Sequence, residues 1–188
     1  VQSHGGVSRY RAQVVAVGDV RGDDRFGQTY RVVCDPLRQR LDLLAAFVAS
    51  RDGTRRELLG RREVPLSDRR FALYYDLQEV SLDLPPLRAG DVVAVAYRLI
   101  ATDPSAPPET FGDFTPLQGE APRRLVDYTV RAPRDWPLQA ALDPSADVAN
   151  HAERFDIVRY DAVAGTDRVV RFRARDLPAL PPPTPPER

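Results

Sequence analysis

The sequence predicts an all-β protein, an antiparallel β-sandwich of about ten strands. Alternating or β-branched apolar runs recur at intervals of about 8 to 18 residues, with Gly, Pro and Asp between them. No stretch has a convincing helical period. Strands that follow one another without crossover helices are typical of antiparallel sheets packed face to face.

The centre of the predicted fold is the stretch of residues 77–100. Val80, Leu82 and Leu84 alternate with more polar residues, as a strand with one buried face requires. Two prolines follow and end this strand, because proline has no N–H to donate to a ladder. A turn with Gly90 at positive φ then leads into a nearly continuous apolar run, which indicates a central strand.

Two hairpins are predicted before this stretch. The first joins residues 10–17 to residues 28–34 through a polar turn rich in Gly and Asp. The second joins residues 41–50 to residues 57–64, because Asp52-Gly53 between apolar runs is a strong hairpin signal. The first strand of this second pair is apolar enough to be a helix, and the hairpin signal favours a strand.

After the central stretch, residues 101–109 are too rich in Pro for regular structure and predict a long loop. Residues 124–131 alternate cleanly and predict a strand. The last hairpin joins residues 155–163 to residues 168–175 around a turn at 164–167. The arginines of its second strand suggest an edge strand guarded by charge: Arg168, Arg171, Arg173 and Arg175.

The predicted domain organisation has three parts. Residues 1–8 lack periodicity and read as a flexible lead, residues 9–177 form the β-sandwich, and residues 178–188 are a Pro-rich linker to a further domain. The sequence contains no Met, so we expect it to be a part of a longer precursor, and a signal peptide is one candidate for the missing piece.

Composition excludes several classes of partner. The 27 positive side chains are all arginine and are balanced by 27 acidic ones, so no net charge draws nucleic acid or an anionic membrane. No apolar run approaches the roughly 18 to 20 residues of a membrane span. The single cysteine cannot form an internal disulfide, which leaves the compartment open. Oligomeric state is not predictable from these features.

Catalytic and metal sites are weakly indicated. Cys34 would need His4 or His151 as a base, and a lone Cys in a Val-rich strand is more often a small buried hydrophobe. The two histidines lack metal-ligand spacing, and the acidic runs 19–24 and 143–147 do not match a calcium loop. No phosphate-binding or dinucleotide motif occurs, so we expect no cofactor.

Two further kinds of site remain open. Glu109, Asp113 and Glu120 are candidates for paired carboxylates in glycoside chemistry, although such acids beside a Pro-rich loop are usually only solvated. An aromatic platform for sugar or peptide is the second, although strand aromatics mostly belong to the core. Its candidates are Trp136, Tyr74, Tyr75, Phe111 and Phe114.

Six segments resemble a bacterial domain of unknown function that stands N-terminal to transglutaminase-like domains in exported or envelope proteins. They are Tyr75-Asp-Leu77, Leu84-Pro-Pro-Leu-Arg-Ala-Gly-Asp-Val-Val-Ala-Val-Ala-Tyr97, Phe111-Gly-Asp-Phe114 with Leu117-Gln118 and strand 124–133, and Phe172-Arg-Ala-Arg-Asp-Leu-Pro-Ala-Leu180. The resemblance implies an immunoglobulin-like β-sandwich with no catalytic residue of its own, since the family's Cys-His-Asp chemistry belongs to the downstream domain.

The resemblance therefore predicts a non-catalytic accessory module of a periplasmic or extracellular protein. Its partner is the downstream transglutaminase-like domain of the same polypeptide, on which it packs or to which it presents substrate. The alternative is a stand-alone ligand-binding or adhesion module. The candidate interface is the long loop 103–118, with Phe111, Asp113, Phe114 and Gln118, unless its aromatic rings close the end of the sandwich instead.

Overall fold

The computed structural model describes residues 7–18, 28–67, 77–102, 113–142 and 155–180. These residues form ten strands in three antiparallel sheets, and they contain no helix, hence none that crosses a membrane. The predicted all-β class and strand count are confirmed. The immunoglobulin-like arrangement and the limits of the predicted parts stay predictions.

Contacts divide the chain into two compact units, Val1–Phe111 and Gly112–Arg188. In the first unit the described residues form seven strands: β1 Ser8–Ala16, β2 Thr29–Cys34, β3 Gln39–Ala49, β4 Arg55–Glu57, β5 Gly60–Pro65, β6 Gln78–Asp83 and β7 Val92–Ala101. They form two sheets, with strand orders β1-β7-β3-β4 and β2-β6-β5. Each sheet thus has one strand of the 77–100 stretch at an inner position, with a neighbouring strand on either side.

Side chains from both of these sheets form one hydrophobic core. On β6 the predicted apolar face is buried, with Val80 1% and Leu82 0% exposed, and Leu84 just beyond the strand is also 0% exposed. From the other sheet, Val48 and Val95 join the same cluster. The alternation seen in the sequence therefore marks the interior correctly.

The turn between β6 and β7 has the predicted geometry. Gly90 has a φ of 90°, and its N–H donates to the carbonyl of Val17 at 2.8 Å. Val17 in turn donates to the carbonyl of Asp91, so the turn is fixed to the end of β1. The following strand β7 lies between β1 and β3, as expected for a central strand.

The predicted N-terminal hairpin is wrong. β1 pairs with β7, from Ser8 opposite Ile100 to Ala16 opposite Val92, whereas β2 pairs with β6. The two strands thus belong to different sheets, and each pairs with a strand of the 77–100 stretch. A polar turn between two strands shows that the chain reverses, and it does not show that the strands share a sheet.

The second predicted hairpin is correct at its turn and wrong along most of its length. Gly53, with a φ of 87°, closes the turn, but β3 pairs with β4 over only three residues. Leu58 then packs against the core, and Leu59 donates its N–H to Asp83 of the other sheet. The chain thus crosses between sheets, and β5 pairs with β6.

The described part of the second unit contains a three-stranded sheet in the order β8-β10-β9, formed by Arg123–Pro133, Asp167–Leu177 and Val158–Ala164. The hairpin around Gly165, with a φ of 65°, is confirmed. The predicted edge position of the Arg-rich strand is wrong, since β10 is the central strand. Its partner on the far side, β8, is separated from it in the sequence, so the hairpin pattern could not reveal it.

Several predicted segments lie outside the described residues. These are the lead up to residue 6, Tyr74 and Tyr75, most of the Pro-rich loop 101–109, the acidic runs 19–24 and 143–147, and the tail from residue 181.

Candidate functional site

Cys34 ends β2 within the hydrophobic core and is 6% exposed. Its pKa is raised, chiefly by burial and secondly by the negative charge of Glu63. A thiol with a raised pKa stays protonated at neutral pH and is a poor nucleophile. His4 and His151, the two bases considered for it, lie outside the described residues. The geometry of Cys34 is that of a core side chain.

The four predicted interface residues lie in different environments. Phe114 is 76% exposed, so its ring does not close the interior, whereas Phe111 lies outside the described residues. Asp113 accepts a hydrogen bond from the Tyr128 hydroxyl at 3.0 Å. Gln118 is only 8% exposed. Their use as an interface stays a prediction, in which Phe114 has the accessible apolar side chain.

The segment carrying Phe114 is fixed to the rest of the second unit. Gln118 Nε2 donates to the carbonyl of Pro178 at 3.1 Å, and Leu180 donates its N–H to the carbonyl of Gly119 at 2.8 Å. Arg123 Nη1 donates to the carbonyl of Pro116 at 2.6 Å. We call residues 113–120 the anchored segment. An exposed ring on such a segment loses little conformational freedom when it is covered.

One face of the second unit carries paired charges beside exposed apolar side chains. Arg171 binds Asp127 across the sheet through two N–H groups, and Arg173 lies 4.0 Å from the same carboxylate. Arg171 is the main reason that the pKa of Asp127 is lowered. Val158 and Tyr160, 54% and 56% exposed, lie opposite these arginines in the neighbouring strand.

The described residues do not assemble any of the remaining candidate sites. Of the three carboxylates considered for glycoside chemistry, Glu109 lies outside the described residues and Asp113 binds Tyr128. Of the proposed aromatic platform, Trp136 is half-buried and Phe114 exposed, and the other three lie outside the described part of the chain. Among the described residues, no three His, Cys, Asp or Glu side chains are grouped closely enough to hold a metal ion.

A family model describing a domain of unknown function with a solved structure, DUF3857, matches residues 3–181. The chain belongs to the DUF3857 family. This confirms the predicted domain of unknown function, while the association with transglutaminase-like domains stays a prediction. No curated protein matches the chain.

A crystal structure of a protein from Parabacteroides distasonis ATCC 8503, described as a "putative protease", is similar to this DUF3857 chain. The TM-score is 0.73 at 15% sequence identity. The match covers 99% of this chain and 35% of the other, so this chain spans about a third of that protein. At this level of identity the similarity shows the fold alone.

The structure also reveals an ion pair in the DUF3857 domain that the sequence did not predict. Asp91 is 3% exposed, and its Oδ2 accepts hydrogen bonds from Arg56 Nη2 at 2.5 Å and from the Arg88 N–H at 2.8 Å. Arg56 Nη1 also donates to the carbonyl of Pro86 at 2.8 Å. This pair fixes the turn before β7. The Gly90-Asp91 pair is a turn signal that the sequence shows locally, whereas Arg56 comes from a distant part of the chain.

Proposed function

We propose that this chain is a non-catalytic accessory domain of a longer, exported bacterial protein. It packs on a downstream transglutaminase-like catalytic domain, or presents substrate to it, in the periplasm or at the cell surface. The observation that carries the proposal is the similarity to the Parabacteroides distasonis structure, of which this chain covers only a part. The whole chain matches, yet about two thirds of that "putative protease" lie outside the match.

The state of the reactive side chains supports an accessory role. The only thiol is buried and its pKa is raised. The carboxylates of Asp91 and Asp127 are engaged by arginines of the same unit. Groups held in this way stabilise a scaffold and are not free to act as nucleophile or base. We therefore assign the chemistry to the downstream domain.

Phe114 is the proposed point of contact with that domain or with its substrate. It combines 76% exposure with hydrogen bonds that hold the residues just after it, at Pro116 and Gln118. Exposed aromatic side chains on a fixed backbone are typical anchors of protein interfaces. Gln118 contributes indirectly, because its buried amide holds the anchored segment in place.

The decisive experiment compares the isolated chain with the natural full-length polypeptide. Both are assayed for peptide hydrolysis and for transamidation of a glutamine substrate. We expect activity only in the full-length protein, and we expect Cys34→Ser to leave it unchanged because Cys34 is a core residue. Turnover by the isolated chain that depends on Cys34 would overturn the proposal. A gene that ends after Arg188 would favour the stand-alone binding module instead.

Phe114→Ala tests the contact itself. We expect it to change the full-length protein's KM or kcat several-fold without altering stability, because it removes an exposed anchor. Tyr160→Ala is the matched control, since Tyr160 is an exposed aromatic residue of the same unit outside the anchored segment. Equal activity in parent and Phe114→Ala would remove this residue from the interface.

A further inference from the structure

The sheet β1-β7-β3-β4 has an apolar outer face as well as an apolar inner one. In β1, Gln13 turns toward the core, where its Oε1 accepts a hydrogen bond from the Tyr30 hydroxyl at 3.0 Å. Successive side chains of a strand point to opposite faces, so Ala12 and Val14 point outward. Val14 is 71% exposed. In this edge strand Gln13 and the half-buried Val15 face inward, whereas the exposed Ala12, Val14 and Ala16 face outward.

The neighbouring strands continue this pattern. In β7, Val93 and Val95 are 2% exposed and lie in the core, which places the half-buried Ala94 and Ala96 on the outer face. In β3, the buried Val48 places Phe47 on the same outer face. The outward residues of the central strand are therefore small, and the face they form is shallow.

Three successive rows across β1, β7 and β3 contain only apolar residues on this side. The rows are Ala16, Val92 and Ala49; Val14, Ala94 and Phe47; and Ala12, Ala96 and Ala45. We call these nine residues the alanine face. The next row, with Tyr10 and Asp42 on either side of Arg98, introduces charge. At the β4 side, Arg55 lies 4.1 Å above the Phe47 ring. Charged side chains thus border the face.

The size of the alanine face restricts what can bind it. Three strands and three rows span roughly 14 Å by 20 Å, on the order of 300 Å². Contiguous apolar patches of this size on monomers are often functional. A stable complex between free partners buries about 800 Å² on each side, which is well above this area. A partner tethered in the same polypeptide needs less area, because its effective concentration is about millimolar.

We propose that the alanine face is the docking surface for another domain of the same polypeptide. This inference rests on the proposed function, which places the chain in a longer protein. The occupant contributes bulky aliphatic or aromatic side chains, because the alanines leave a shallow, uncharged surface. Its charged groups lie at the Arg98 end of the face, where Arg98 of β7 lies opposite Asp42 of β3.

Thiol labelling tests the inference in the full-length polypeptide. Val14→Cys is introduced in a Cys34→Ala background and labelled with a small maleimide, in both the isolated chain and the full-length protein. Val33→Cys is the matched control, since Val33 is 48% exposed on an edge strand of the other sheet. We expect labelling at position 14 to be slower by a factor of about ten in the full-length protein, as for a surface that is covered nine tenths of the time. Labelling at position 33 is expected to be unchanged.

Two outcomes overturn the inference. Equal labelling at position 14 in the two proteins shows an uncovered face. Protection in the isolated chain that grows with its concentration shows that a second copy is the occupant. The proposed function is judged separately by the activity of the full-length protein. An active enzyme with a freely labelled position 14 removes only the docking surface, and an inactive one with a protected position 14 removes only the catalytic partner.

Discussion

The two units of this DUF3857 chain hold their strands together by different means. In the first unit, two sheets bury side chains against each other, and Leu82, Leu84 and Val48 are completely inaccessible. In the second, a single sheet buries one side of its central strand, where Val170 and Ala174 are 0% exposed. Its other side carries Arg–Asp pairs across the strands. Arginine–carboxylate pairs also cross strands in the first unit, as between Arg62 and Asp83, so what distinguishes the first unit is a core shared by two sheets.

The largest expected effect comes from a charge placed in the core of the first unit. Val95→Asp puts an unpaired carboxylate at a position that is 2% exposed, and we expect it to cost roughly 3–5 kcal/mol of unfolding free energy. Urea unfolding followed by far-UV circular dichroism measures this loss. Val33→Asp, at an exposed position of the same unit, should cost far less. Similar losses in both variants would contradict the assignment of the two faces.

An intermediate effect is expected at the turn between the two sheets. Gly90 has a φ of 90°, which a β-branched residue adopts only with strain, so Gly90→Val should lower stability by about 1–3 kcal/mol. A lower Tm in calorimetry is the expected result. Gly18→Val is the control, because Gly18 has no positive φ and nothing lies within 4 Å of an added Cβ. An unchanged Tm for Gly90→Val would show that the turn relaxes.

The smallest effect should appear in the second unit, and it depends on pH. Arg171 lowers the pKa of Asp127 below its ordinary value of 3.8. A lowered folded-state pKa means that the stabilisation is complete above the unfolded pKa and is lost as pH falls through the folded one. Thermal unfolding can be followed by the fluorescence of Trp136, the single tryptophan. The unfolding midpoint temperature should be constant from about pH 8 to pH 5 and should fall below about pH 4.

Asp127→Asn should lower this midpoint by a few degrees at neutral pH and weaken its dependence on acid. Asp135→Asn removes the same charge from an exposed turn outside the sheet and serves as control. If both variants behave alike, net charge explains the effect and the pairing with Arg171 does not. Added salt should reduce the difference between parent and Asp127→Asn, because exposed ion pairs are screened.

Much of the candidate site depended on contacts that no local pattern contains. The burial of Cys34 could be predicted from its Val-rich strand, since local alternation decides which side chains face inward. The burial of Gln118 could not, because its partner is the carbonyl of Pro178, far along the chain. The same holds for Asp91 and Arg56. The exposure of Phe114 was one of two alternatives that the sequence left open.

The sequence by itself determined where most strands lie and where the chain reverses. Alternation placed Val80 and Leu82 in the core, and Gly residues marked the turns at Gly53, Gly90 and Gly165. These features are local, because side-chain alternation and positive φ concern neighbouring residues only.

The tertiary structure alone decided which strands share a sheet. β1 joined β7, β5 joined β6, and the Arg-rich β10 became a central strand. The outward direction of the alanines in β1 and β7 also follows from these pairings. Strand partners are chosen by how well distant apolar surfaces fit together when the core forms, and that fit is a property of the whole chain.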